Sequence, residues 1–463
     1  MGAERESNAL EMRLSQYRSI LERNPRAHLA LEYCLNGMPD MTDMQKIYLH
    51  TFAPILVDFA EWILKEAMRL GIRRLYFLAR DAYPVYLIAK QLCENEEKSV
   101  ECRYLRVSRY ALRMAQYHRM KEECVEYICL GGIGVTFEKI MRRGGLSREE
   151  GTAVAEKLGY ENRYNETLEY REIQDIKKNL KKEPTFLEFV YHHSGEVYPA
   201  VRGYLEQEGL LEDIPYGFVD SGWVGTMQKT LTELVADAGP MNKRKYAPEG
   251  FYFGLYEVPA DVSVQKYHCY YFSPEKKMRR KVYFSNCLFE AVCSAPEGMT
   301  CGYERQGDSY VAKAESGNPN AEVLCENQKV LEAYVKKYIA IAKEKSLQKE
   351  GSFDEVSFAI LENMMGRPSK EEADRLGSYL FCDDVREQDM QKVAKELTQE
   401  EIKSQRILAK ADRVLNKKSG QNAAESAWIE GSIVNNGNRV KENLRHAAMY
   451  KYALYLRKAL QKR

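Results

Sequence analysis

The apolar positions of this 463-residue chain change period several times, and each change marks an element. Leu10, Leu14, Tyr17 and Leu21 recur at helical spacing, and Pro25 and Gly37 interrupt them, so residues 1–43 are expected to form short helices. Asp43 is placed to cap a helix running into Phe52, which Pro54 restarts. Leu56, Phe59, Ala60, Ile63, Leu64, Ala67 and Leu70 form one apolar stripe, closed by Gly71 where a left-handed C-cap is wanted. Leu75-Tyr76-Phe77-Leu78-Ala79 is an unbroken apolar run, the pattern of a strand buried on both faces. After Arg80-Asp81 a helix resumes, with Val85, Leu87, Ile88, Ala89 and Leu92 as its apolar positions. Residues 104–107 read as a shorter strand, and Ser108 as the N-cap of a helix over 110–117.

Residues from about 112 to 210 read as a helical insertion. Within it, 137–145 and a second helix ending at Gly159 have helix-turn-helix spacing; packing helices are the preferred reading, and no nucleic-acid partner is expected. The α/β pattern then returns. Residues 216–219 and 250–256 read as strands, 227–236 as a helix, and 264–272 as a further strand. Residues 283–293 read as a helix, and 303–311 as a hairpin turning at Gln306-Gly307-Asp308. Beyond about residue 318 the chain reads as helical, with a break at Ser419-Gly420-Gln421-Asn422 after Lys417-Lys418. The expected fold is α/β and Rossmann-like: a mostly parallel sheet with a helical insertion and a helical C-terminal region, divided as 1–43, 44–315 and 316–463.

Composition sharpens this in a few places. A chain 44% hydrophobic and 30% charged can bury a sizeable core, which excludes a wholly disordered or collagen-like protein. Lys and Arg (69) nearly cancel Asp and Glu (68), so the whole molecule lacks a nucleic-acid footprint. No run of eighteen apolar residues predicts a transmembrane segment, and Met1-Gly2-Ala3-Glu4-Arg5-Glu6 lacks the form of a secretory leader. Eleven scattered cysteines without a C-x-x-C pair suit reduced thiols, and a cytoplasmic protein is expected. His268, Cys269, Cys287, Cys293 and Cys301 match no tight zinc-chelating spacing, and His192-His193 reads as an isolated pair on a surface helix. Residues 401–463 hold fourteen Lys or Arg against five Asp or Glu, a solvated basic face by default and otherwise a contact for an acidic partner or membrane surface.

Four segments can carry chemistry. Arg80-Asp81 follows the first strong strand, at the edge where open α/β sheets bind ligands. The carboxylate there can hold a metal or sugar hydroxyls and the arginine can fork onto phosphate; alternatively Asp81 caps the next helix and Arg80 pairs with an acid. Asp220-Ser221-Gly222-Trp223-Val224-Gly225-Thr226 is a second strand-to-helix segment. Its two glycines, the Ser221 and Thr226 hydroxyls and the helix N-terminus suit an anion, and Asp220 suits a metal or ribose-like hydroxyls. The alternative is a tight turn with Trp223 packed in the core. Arg106 and Arg109 flank the strand-to-helix step at Ser108 and suit either phosphate or structural ion pairs. Glu290 lies in an apolar helix, so it needs a partner or carries a function; Ser294-Ala295-Pro296-Glu297-Gly298 shapes the loop after it. Trp428-Ile429-Glu430-Gly431-Ser432 reads as an ordinary helix end.

Together these motifs resemble the C-terminal portion of bacterial haloacid-dehalogenase-like hydrolases encoded among cell-surface polysaccharide genes. That family carries a Phe-Leu-x-Arg-Asp-Gly strand end, a Val-Ser-Arg segment, an Asp-x-Gly-Trp-x-Gly-x-x-Gln turn and a Ser-Ala-Pro-x-Gly loop, in this order. Here they stand at 77–82, 107–109, 220–228 and 294–298, and the resemblance spans roughly residues 45 to 435. Ala82 replaces the usual glycine, and Glu297 stands where a more basic or polar residue is common. No strand ends in Asp-x-Asp-x-Thr, the nucleophile motif of that superfamily, so the hydrolase activity is not carried over. A weaker similarity is to type I phosphoribosyltransferases, whose pyrophosphate and ribose-phosphate loops Arg80-Asp81 and 220–226 would match. Their adjacent acid pair is absent, since Val219 precedes Asp220.

The resemblance and the strand-tip loops imply a transferase acting on a phosphorylated sugar or nucleotide sugar in surface-polysaccharide synthesis. Asp81, Asp220 and Glu290 would be its catalytic residues, with Mg2+ on Asp81 and Asp220. Arg80, Arg106, Arg109, Ser221, Gly222, Trp223, Gly225 and Thr226 would bind substrate. The rival expectation is a non-catalytic binding or scaffold protein that docks a glycosyltransferase. Convergence of Arg80, Asp81, Asp220 and Trp223 on one cavity separates the two.

Overall fold

All five residues of strand β1, Arg74–Leu78, are buried, and such a strand needs cover on both faces. The computed structural model describes residues 2–96, 99–132, 134–239, 247–315, 317–345, 353–382, 390–407, 409 and 426–461. Helix α1 (Phe52–Arg69) leads into β1, and helix α2 (Tyr83–Glu96) leads from it to β2 (Glu101–Leu105). Helix α3 (Arg109–Met114) opens the insertion, and the long helix α4 (Pro184–Gln207) closes it. Strand β3 (Tyr216–Trp223), helix α5 (Thr226–Ala238), β4 (Glu249–Leu255) and β5 (Tyr267–Phe272) complete the sheet. Its order is β2-β1-β3-β4-β5 with every neighbouring pair parallel, so the protein is α/β and Rossmann-like, as the apolar runs predict.

Alternate side chains of the strands go to different cores. Leu75, Phe77, Val219 and Phe251 pack with α1 and α2, while Tyr76, Leu78, Tyr216 and Phe218 pack with α3, α4 and α5. The one cation within β1, Arg74, is 6% exposed, and ion pairs to Glu101 (2.5 Å) and Glu212 (3.0 Å) compensate its burial. From β1 the chain steps outward to β2, then returns to the other side of β1 for β3. Adjacent crossovers therefore diverge at the carboxyl ends of β1 and β3, the crevice where open α/β sheets bind ligands.

Several boundaries differ from expectation. The strand expected over 216–219 runs on to Trp223, because Asp220, Gly222 and Trp223 pair with Tyr252, Gly254 and Leu255. Gly222 reads as a turn residue in sequence, yet it serves this close pairing. Its φ is +138°, and a Cβ there would lie 2.0 Å from the Gly254 carbonyl oxygen. Strand β2 covers 101–105 rather than 104–107, which leaves Arg106 beyond its end. The first helix of the insertion stops at Met114, and a separate turn of helix covers Tyr117–Met120. Thr42, not Asp43, caps the helix Asp43–His50, in a reciprocal box with Gln45. Strand β5 begins at Tyr267, after a short 3-10 turn.

The insertion has a core of its own, including Phe137, Ile140, Val154, Ile176 and Phe186. Its paired helices are bounded by Ser147, in a capping box with Glu150, and by Gly159 in the left-handed region (φ +75°). After the sheet come helix α6 (Asn286–Cys293), the hairpin β6 (Thr300–Gln306) and β7 (Ser309–Ala314), and helix α7 (Ala321–Lys345). One hydrophobic cluster joins Leu14 and Tyr17 of the N-terminal helix Gly2–Leu21 with α1, the sheet, Tyr334 of α7 and Leu361. Trp428 is fully buried and precedes a helix (Ile429–Asn436) instead of ending one; its indole N–H donates to the Met365 carbonyl at 2.7 Å. The break expected at 419–422 lies outside the described residues. The stretch Asp43–Arg69 is long and apolar enough, by composition, to cross a membrane, but 89% of its apolar window is buried in the fold.

Phe253 of β4 sits where the sheet core is most aromatic, with ring centres of Phe289, Phe59 and Phe284 at 4.3, 5.3 and 5.7 Å. Phe253→Ala is expected to cost about 3–5 kcal/mol, the usual range for emptying a buried aromatic site. A guanidinium titration followed by tryptophan fluorescence checks this through a lowered midpoint.

Candidate functional site at the carboxyl edge of the sheet

The turn after β1 carries Arg80 and Asp81, and the tip of β3 carries Asp220 through Trp223. Ser108 accepts the Ala111 N–H as N-cap of α3 and donates to the Thr300 carbonyl at 2.6 Å, so Arg109 starts its helix tied to hairpin β6–β7. Helix α6 crosses the opening and contributes Glu290. Arg80, Asp81, Arg109, Asp220, Trp223 and Glu290 line one cavity of about 170 Å³, with Gly222 and Thr226 beside them. Arg80, Asp81, Asp220 and Trp223 therefore converge on one cavity.

Trp223 packs into the core, as the alternative reading expects, and also lines the cavity. It is 8% exposed and packs against Phe272, Phe284, Phe289 and Tyr256, while its indole N–H donates to Glu290 Oε1 at 2.5 Å. Glu290 thus has a structural partner and also faces the cavity. Burial pushes the Asp220 carboxyl up to about 8, helped by the charge of Asp81 and opposed by the N–H groups of Ser221 and Gly222 and by Arg109. Burial and then Asp81 push Glu290 up as well, against Arg109 and the Trp223 N–H. Near neutral pH the cavity thus keeps Asp220 largely protonated beside two arginines. That charge state tolerates an anion, and a divalent cation can replace the protons on these acids.

Three expected substrate-binding residues do not line the cavity. Ser221 is 3% exposed, and its contribution is the backbone N–H offered to Asp220. Gly225 makes the left-handed start of α5 (φ +70°), and a Cβ there would meet the Tyr267 ring at 2.7 Å. Arg106 lies over the Tyr104 ring and pairs with Glu297 at 3.2 Å, so the stepped-back end of β2 gives it to a structural ion pair. Glu297 also accepts from the Tyr104 hydroxyl at 2.9 Å.

A second cavity of about 90 Å³ shares Arg80, Asp81, Arg109 and Glu290 with the first and extends to Asn318, Asn320 and Phe381. Sequence reasoning missed this lobe and Thr300, and it read Ser108 only as a helix cap. The two asparagines knit the wall: Asn318 donates to the Ala295 carbonyl at 2.8 Å, and Asn320 exchanges hydrogen bonds with the backbone of Leu380. Nothing in the order of the chain brings residues 318–320 and 381 to Asp81. Of the cysteine and histidine set weighed for zinc, His268 instead meets Glu249 at 2.8 Å.

No protein-family profile matches the chain, and no curated protein matches it either.

The raised carboxyl of Asp220 has a stability consequence with a definite sign. Between pH about 4 and about 8 the folded chain holds a proton there that the unfolded chain has released. This contribution is present in full at low pH and is lost as pH rises through that window. Asp220→Asn should flatten the fall, so wild-type and variant melting temperatures, measured from pH 4 to 9, should diverge steadily up to about 8 and run parallel above.

Proposed function

We propose that this protein is a transferase for a phosphorylated sugar or nucleotide sugar. The phosphate and sugar occupy the cavity between the tips of β1 and β3, and an acceptor occupies the adjoining lobe. One observation carries the reading: three carboxyl groups and two arginines surround a single cavity at the sheet's crossover crevice, and four of these residues border both lobes.

Arg80 and Arg109 present forked donors that match phosphate oxygens. The thirteen-residue helix α5 opens at the cavity with Thr226 and adds its N-terminal amides. Asp81 and Asp220 are hard oxygen donors, the set that Mg2+ prefers, and they would hold that ion. The ion, when bound, neutralises charge on the leaving phosphate. Glu290, oriented by the Trp223 indole, carries a proton that it can hand to the departing phosphate oxygen. Asp81 borders both lobes and is the base for the acceptor. The anomeric carbon–phosphate oxygen bond breaks, a bond from that carbon to the acceptor oxygen forms, and the acceptor's proton passes to the Asp81 carboxylate. The resemblance to polysaccharide-locus proteins supports a cell-surface glycan as the destination of the sugar.

Thermal-shift measurements with UDP-glucose, glucose 1-phosphate and phosphoribosyl pyrophosphate, each with and without MgCl2, test the reading. A ligand at a hundredfold its Kd adds about 2.7 kcal/mol of stability to the folded chain. At least one of the three should raise the wild-type midpoint, and Asp220→Ala and Arg109→Ala should each weaken binding tenfold or more. If none raises it, or if both variants bind as wild type does, the reading fails. Binding with no transfer to any acceptor would favour the scaffold alternative, in which the protein presents the sugar to a glycosyltransferase.

A further inference from the structure

Helix α4 carries the pair His192-His193 and, one turn on, Glu196. Nδ1 of His192 lies 3.6 Å from Glu196 Oε2, and Nδ1 of His193 lies 3.5 Å from the same oxygen. Tetrahedral zinc, with bonds of about 2.0–2.1 Å to nitrogen and oxygen, places its ligand atoms about 3.3 Å apart along each edge. Both separations are close to that edge. The three ligand atoms all fall within 4.8 Å of one another, and among the described residues this is the one such set of histidine, cysteine or carboxylate ligands.

A second observation concerns the far side of the His193 ring. Its Nε2 lies 3.0 Å from both carboxylate oxygens of Glu150, on the neighbouring helix Arg148–Leu158. A carboxylate that takes the N–H of one ring nitrogen leaves the lone pair of the other directed at the ligand position, the arrangement that orients metal-binding histidines. Glu150 is itself fixed, since it accepts the Ser147 N–H at 2.8 Å in its capping box. The two imidazoles stand at 86° with centres 5.5 Å apart, so they approach Glu196 from different directions.

We propose that His192, His193 and Glu196 bind one Zn2+ ion, with Glu150 as the residue that positions His193. Three protein ligands leave a fourth tetrahedral position for water, and the exposed side chains of His192 and Glu196 let the ion enter from solvent. None of the four residues lines the carboxylate cavity, so the site is independent of the transferase reading. Its place in the fold is the joint between helix Arg148–Leu158 and α4. The latter also carries Tyr204, whose hydroxyl accepts the Arg106 N–H at 3.0 Å beside the cavity wall. A bound ion would clamp one turn of α4 beside helix Arg148–Leu158.

Calorimetric titration of the full chain with ZnCl2 tests this, alongside melting curves with and without the metal. One Zn2+ per chain is expected, with a raised wild-type melting temperature. His192→Ala and Glu196→Gln should each weaken binding at least tenfold and remove the metal-dependent rise. Glu150→Gln should weaken binding by about 10–100-fold. Without metal, His192→Ala should melt as wild type does, because its side chain is 66% exposed; this keeps the comparison free of misfolding. The proposal is overturned if the wild type takes up no Zn2+ at about 100 μM, a concentration well above that of a working three-ligand site. It is equally overturned if His192→Ala and Glu196→Gln bind as wild type does, which would put the ion on the cysteines or the carboxylate cavity. Unchanged affinity in Glu150→Gln would remove the positioning role.

Discussion

The burial of β1 and β3 on both faces is the constraint from which the rest of the molecule follows. A strand with no solvated face must receive helices on each side, and helices on each side require crossovers between parallel neighbours. Two crossovers that diverge from one pair of strands leave a crevice at their carboxyl ends, and polar residues of the two tips have nowhere else to go. Asp81 and Asp220 therefore meet although 139 positions separate them in the sequence. Asp220 is buried at its strand tip, and that burial makes its charge costly.

That cost gives the site its chemical character. Water alone would keep Asp220 ionised, but the walls hold it protonated and let Arg80 and Arg109 set the local sign. Trp223 connects the two demands, since one side of its ring closes the aromatic core while its N–H orients Glu290. The glycines at 222 and 254 allow the strands carrying these residues to stay paired up to the tip. Packing and chemistry are thus not separable here: a residue that improved the core at Gly222 would push the two strand tips apart.

The same interplay explains which candidates left the site. Arg106 and Arg109 are alike in sequence, three positions apart at a strand-to-helix step. Ending β2 at Leu105 leaves Arg106 on the outer side, where Glu297 takes it, while Ser108 turns Arg109 inward at the head of α3. A charge that finds an acid partner on the rim is neutralised there and adds little to ligand binding.

Period alone determined the parallel-sheet core, because a continuous apolar run flanked by helical stripes has few other ways to bury itself. It located the acidic residues after the first and third strands, the helical insertion with its second helix ending at Gly159, and the hairpin. What only the tertiary structure decided was convergence: that Glu290 reaches across to Trp223, that residues 318–320 and 381 wall a second lobe, and that His193 finds Glu150 from another helix. These contacts join segments tens to hundreds of residues apart. Local propensity carries no information about them, since they are set by how the helices stack over the sheet and not by what any one segment prefers.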